Sequence, residues 1–124
     1  MLLPLMVGLG AALGAPSRYL LDRWVQARHE TGLPLGTLLI NLLGSAGLGL
    51  LLGLAAGGAL PGEALAAAGT GWCGAFTTYS TFSFETVQLA RQERLGWAAG
   101  YVALSVLGGL LLAWGGVEIG LALA

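Results

Sequence analysis

The sequence predicts an all-α membrane protein of four transmembrane helices, the third broken in mid-membrane. Three observations carry this. Of 124 residues 56% are hydrophobic and only 9% charged, where a soluble domain carries about a quarter charged residues. The apolar residues gather in four segments, each near the ~20 residues a helix needs to cross the hydrocarbon core. The third segment also holds a dense run of hydroxyl side chains, which a simple lipid-buried helix does not need.

Segment 1 covers residues 2–21 and extends as an amphipathic helix to residue 28. No Lys or Arg precedes it and three further apolar segments follow, so it reads as a membrane segment rather than a secretory signal. Segment 2 runs over residues 34–58, beginning at Pro34. Pro61-Gly62 marks a turn, segment 3 spans 63–92 and segment 4 spans 95–121. The connections are a few residues each, which predicts a single transmembrane domain over 1–124 with both termini on one side. Net charge is −1 with no basic run, so nucleic acid is not expected as a partner. The single cysteine, Cys73, excludes an internal disulfide.

The helices carry small residues at four-residue spacing: Ser45, Gly49, Gly53 and Gly57 in segment 2, Gly10 and Gly14 in segment 1, Gly96 and Gly100 in segment 4. Such stripes let helix backbones approach in lipid, where packing rather than hydrophobicity drives association. A chain this small cannot enclose a pore alone, so an oligomer is expected. Arg18, Arg23 and Arg28 lie at or near the first connection and Arg91 and Arg94 at the third. The positive-inside rule puts both connections in the cytoplasm.

Segment 3 is where polarity concentrates. Gly69, Gly71 and Gly74 precede Thr77-Thr78-Tyr79-Ser80-Thr81-Phe82-Ser83, in which every residue but Phe82 bears a hydroxyl. Irregular backbone is tolerated at membrane depth where it is buried in protein or lines a watery cavity. This predicts a break near residues 74–80. The competing reading is a continuous helix whose Ser and Thr bond back to the preceding turn.

Asn41 in segment 2 offers amide donors, and Tyr101 and Ser105 in segment 4 share a face at i, i+4. Together with the hydroxyl run they form a donor set without a charged side chain. That chemistry suits a small, hard anion, which exchanges water for neutral donors without being trapped by a buried cation. The rings of Tyr79 and Phe82 add electropositive edges. His29, the one histidine, sits beside Glu30 in the first connection, and no catalytic or metal-ligating constellation can be assembled; an enzyme is not expected.

These residues fall into three patterns that resemble the Fluc (CrcB) family of fluoride channels. Gly10 to Tyr19 (GAALGAPSRY) is similar to the opening GGxxGAxxRY, with Ala11 at its second Gly. Gly36 to Ser45 (GTLLINLLGS) resembles GTLxxNxxGS, and Gly71 to Glu85 (GWCGAFTTYSTFSFE) resembles GfcGgfTTfSTFSxE. The resemblance implies a passive fluoride channel of the inner (plasma) membrane that exports F− and lowers cytoplasmic fluoride. It implies an antiparallel, dual-topology dimer, with a central structural Na+ held by main-chain carbonyls of Gly74 and Thr77 from both subunits. The fluoride pathway would fall on Asn41, Tyr79, Ser80, Thr81, Phe82, Tyr101 and Ser105, with Arg18 and Glu85 near the vestibules.

Two departures stand out: Tyr79 where the family usually has Phe, and Gly109 where some members carry a further Ser. The arginine bias leaves two dimer readings: a homodimer, favoured because Arg18 belongs to a motif, and a heterodimer with an oppositely oriented subunit encoded separately. The rival class is a proton-coupled exporter of the small multidrug type. Those couple through a carboxylate inside the first helix, and segment 1 has no acid before Asp22.

Overall fold

A computed structural model describes residues 1–124. It is all-helical: α1 (Leu2–Arg28), α2 (Leu35–Ala56), α3 (Gly62–Leu65) running into a π-helix (Ala66–Cys73) and α4 (Gly74–Phe76), then α5 (Ser80–Arg91) and α6 (Leu95–Leu123). Two helices are long and apolar enough to cross a membrane by length and composition: α2, with mean hydropathy 2.0, and α6, with 1.8. Helix α1 carries Pro16-Ser17-Arg18 in its middle. Pro16 cannot donate to the carbonyl one turn back, and Ser17 Oγ donates to Leu13 O beside it at 2.7 Å.

Helix packing follows the small residues. α2 packs most extensively on α6, and α1 on the π-helix. A Cβ added at Gly49 or Gly53 would meet the backbone carbonyls of Ala113 or Val117, and one at Gly116 or Gly120 those of Ala46 or Leu50. The two backbones therefore touch along four glycines, two from each helix. Gly10, Gly14 and Gly71 do the same between α1 and the π-helix. Gly96 and Gly100 have no such neighbour within the chain: nothing lies within 4 Å of a Cβ built on either. In α6 the packed glycines are instead in its second half, because that half lies against α2.

The third segment holds a feature absent from the sequence reading. Its middle is π-helical for eight residues, Ala66-Ala-Ala-Gly-Thr-Gly-Trp-Cys73. The i→i+5 ladder widens the helix and is frequent at functional sites. Gly71 and its neighbours let this wider rod lie directly on α1, and the stacked rings of Trp72 and Phe76 (4.5 Å between centroids) lead into the break.

Only 20 of 124 residues are buried, while long rows of leucines on α1 and α6 stand exposed. For a chain in water this is inverted; in lipid it is the expected surface. The first and third connections meet at one end, where Arg94 Nη1 lies 3.5 Å from the place of a Cβ on Gly32. There Arg28 stacks over Trp24 at 4.2 Å and Arg94 over Trp97 at 5.8 Å, an aromatic and basic belt of the kind found at a membrane interface.

Candidate functional site

The helix stops at Phe76 and resumes at Ser80, a narrower break than residues 74–80. Thr77 is extended (φ −79°, ψ 161°). Its N–H and Oγ1 both donate to Cys73 O, at 3.0 and 2.9 Å, closing the last turn. The next peptide leaves the ladder altogether. Thr78 N–H donates across to Asn41 Oδ1 at 2.9 Å, and Asn41 Nδ2 donates to Thr78 O at 3.0 Å. The carbonyl of Gly74, whose partner in an unbroken α-helix would be the Thr78 N–H, thereby loses that donor. Thr77 O faces Arg18 Nη1 at 3.5 Å, the outer limit of a hydrogen bond.

Thr78 also starts α5. Its Oγ1 accepts from Thr81 N–H at 3.3 Å, as a helix cap does, donates to Thr81 Oγ1 at 3.1 Å and lies 3.4 Å from Ser80 Oγ. Ser80 and Thr81 are exposed beside it. Ser83 bonds back to Tyr79 O at 3.0 Å and Thr86 to Phe82 O at 2.8 Å. The hydroxyl run thus divides: its edges bond back to the preceding turn, and its centre forms a cluster around Thr78.

An open groove of 560 Å³ runs beside the break, between Asn41 and Ser45 of α2, Gly74, Phe82 and Ser105 of α6. Ser105 Oγ is shielded from solvent and has no hydrogen-bond partner, alone among the chain's buried side-chain polar atoms. Ser45 Oγ donates to Asn41 O at 2.8 Å. Tyr101 does not join Ser105 there. Its hydroxyl donates to Glu85 Oε2 at 3.0 Å, and Thr37 Oγ1 donates to Glu85 Oε1 at 3.0 Å. Glu85 lines a second, polar pocket of 360 Å³ with Gln26, His29, Gln88 and Gln92, at the arginine-rich end.

Phe82 connects the two. Its ring lines the groove and lies 5.2 Å from that of Tyr101, tilted by 41°. Tyr79 is 6.1 Å from Phe82 on the other side and 81% exposed, its ring projecting away from the chain. The structure therefore brings Asn41, Phe82 and Ser105 to one groove and Tyr101 with Glu85 to the next. Arg18 stands apart, under the break.

Two residues were missed as site residues in the sequence. Thr37, 2% exposed, stands four residues before Asn41, as Asn41 stands four before Ser45; that i, i+4 polar row was a readable signal of one shared helix face. Thr78 heads a Thr-x-x-Thr spacing, which places a hydroxyl three residues ahead of an N–H needing an acceptor. The structure offers no group of three or more His, Cys, Asp or Glu that could hold a metal ion.

A family model described as CrcB-like protein, Camphor Resistance (CrcB), matches residues 5–117. The fluoride-specific ion channel FluC 1 of Nocardia farcinica is 54% identical over 101 residues, covering 82% of this chain and 68% of the relative. The protein of the same name from Frankia casuarinae is 47% identical over 125 residues, 97% of this chain and 94% of the relative. The fluoride-specific ion channel FluC of Thermus thermophilus is 45% identical over 119 residues, 96% and 94% respectively.

Proposed function

The chain belongs to the CrcB family, and from that premise we propose that it is a passive, fluoride-selective channel that lets F− leave the cell. The observation that carries this reading is the pair of neutral donors in the groove beside Phe82, Asn41 and the unpartnered Ser105 hydroxyl, with Tyr101 packed on the Phe82 ring and its O–H held by Glu85. A small anion with tightly held water needs replacement donors at each step, and leaving requires that none bind it as a buried cation would. Asn41 Nδ2 keeps one N–H beyond its bond to Thr78. The exposed hydroxyls of Ser80 and Thr81 offer an approach. The ring edges of Tyr79 and Phe82 are electropositive and give weak passage between donors.

Four membrane spans in one domain over 1–124 belong to the same proposal: α1, α2, the interrupted segment 62–91, and α6. So does an antiparallel dimer in the inner membrane, which would give the exposed Tyr79 side chain a neighbour. A homodimer is the favoured form, with a separately encoded, oppositely oriented partner as the second. A structural Na+ between the subunits would be held by the carbonyls of Gly74 and Thr77, hard oxygen donors suited to such a cation. The loss of Gly74's helical donor fits that role. One chain supplies too few ligands, so the partner's pair would be required. The multidrug-type exporter is not favoured: the first acid of α1 is Asp22, about two turns from its end.

The test is flux from liposomes holding purified protein, followed with fluoride- and chloride-selective electrodes. Fast fluoride release with chloride retained is expected. Equal release of both anions, or of neither, refutes the proposal.

A further inference from the structure

We infer that the groove between the first turns of α2 and α6 is a docking site for an anionic phospholipid, its acyl chain lying over Gly100 and its headgroup at Arg94. The groove has a volume of 240 Å³ and is lined almost wholly by apolar side chains, among them Leu35, Leu38, Trp97 and Leu104. Its floor is bare where Gly100 lacks a side chain, since nothing stands within 4 Å of a Cβ built there. Each of the packed glycines of α6 lies against α2; Gly100 faces open space.

The extent of the groove selects a lipid. From Trp97 to Leu104 it runs seven residues, about 10 Å of helix rise, beginning at the basic end of the chain and ending before the midplane of a ~30 Å core. That covers about two-thirds of one leaflet, room for the upper part of one acyl chain. A helix from a second copy would bury a face continuing along the span, longer than this groove.

Charge complementarity selects the headgroup. The guanidinium of Arg94 lies over the Trp97 ring that walls the groove (5.8 Å), and the ring is its side-chain partner within the chain. Neighbouring Glu93, held at φ 58° in the connection, makes no ion pair with it. An interfacial arginine held on an aromatic ring, with donors left over, matches a lipid phosphate at the level where lipid phosphates lie. The same guanidinium approaches Gly32, the chain neighbour of Leu33, which walls both this groove and the polar pocket beside it.

The full chain in vesicles tests this by quenching of Trp97 emission, taken as the difference between the native protein and Trp97→Phe. The quenchers are phosphatidylglycerol and phosphatidylcholine brominated on their acyl chains. Half-quenching is expected at a roughly fivefold lower mole fraction of the anionic lipid, the factor that one arginine contributes at a membrane surface. Arg94→Gln should bring the two lipids together, and Gly100→Leu should weaken quenching by both. Free inorganic phosphate at millimolar concentration should leave the preference intact. Equal quenching by both lipids in the native protein overturns the inference, as does loss of the preference to free phosphate. A Trp97 shielded from both lipids overturns it too, since the groove would then be covered by a second copy. The outcome is independent of fluoride flux.

Discussion

Asn41 and Thr78 exchange two hydrogen bonds across the interior: the side-chain amide donates to the Thr78 carbonyl at 3.0 Å, and the Thr78 N–H donates to the side-chain oxygen at 2.9 Å. A peptide removed from its helix in a membrane needs both groups satisfied, and a single side chain from α2 does it. Asn41 is therefore as much a clamp on the break as a donor to an ion. Asn41→Asp keeps the acceptor, loses the donor and sets a negative charge against the Thr78 carbonyl. It should slow fluoride flux at least about tenfold and lower stability by about 1–3 kcal/mol, the cost of a buried group left unpaired. Liposome flux and thermal unfolding in detergent measure the two effects; normal flux with normal stability removes Asn41 from both roles.

Thr37 and Tyr101 hold the two oxygens of Glu85, and with Thr37 almost fully buried the carboxylate has no free rotation. Thr37→Val, of similar volume, removes one donor to a charged group, worth about 1.5–3 kcal/mol. Flux should fall by an order of magnitude or so, and Thr37→Ser should restore most of it. A Thr37→Val channel as fast as the parent would mean that Glu85 needs no positioning.

The glycines sort into two classes by what surrounds them. Gly49→Leu or Gly116→Leu drives a side chain into the opposing backbone, and such chains should fail to run as a single species in size-exclusion chromatography. Gly96→Ala and Gly115→Ala add a methyl to open space and should be tolerated. A well-behaved Gly49→Leu protein would contradict backbone contact between α2 and α6.

Tyr79 has an exposed ring and no hydrogen bond to its hydroxyl within the chain. Tyr79→Phe should change unfolding free energy by less than about 0.5 kcal/mol, as surface substitutions do, and leave fluoride flux equal or faster. Slower flux would show that the hydroxyl assists passage.

What could be read in the sequence, and what could not, follows from the range of each interaction. The extent of α2, Leu35–Ala56, is a matter of local hydropathy and flanking Pro34, so it was visible in one dimension. The hydroxyl run marked the break for the same reason. Its narrowing to residues 77–79 was not visible, because it depends on Asn41, 37 residues away, taking the Thr78 peptide. The π-helix was hidden likewise: Ala and Gly fit α- and π-geometry alike, and contact with α1 accompanies the wider form. Gly96 and Gly100 meet nothing in their own chain, because a small-residue stripe states only that a face can be approached, not that a helix of the same chain approaches it. Thr37 was legible and overlooked.

The glycine contact between α2 and α6 joins the second long helix to one made much later. At a synthesis rate of about 5–20 residues per second, the 67 residues from the end of one to the end of the other take about 3–13 s. For that interval α2 has been translated with its most intimate neighbour missing. The pairing must then wait until α6 has left the ribosome. A truncated product lacking the last turns of α6 would lose Gly116 and Gly120, and with them the closest backbone contact to α2.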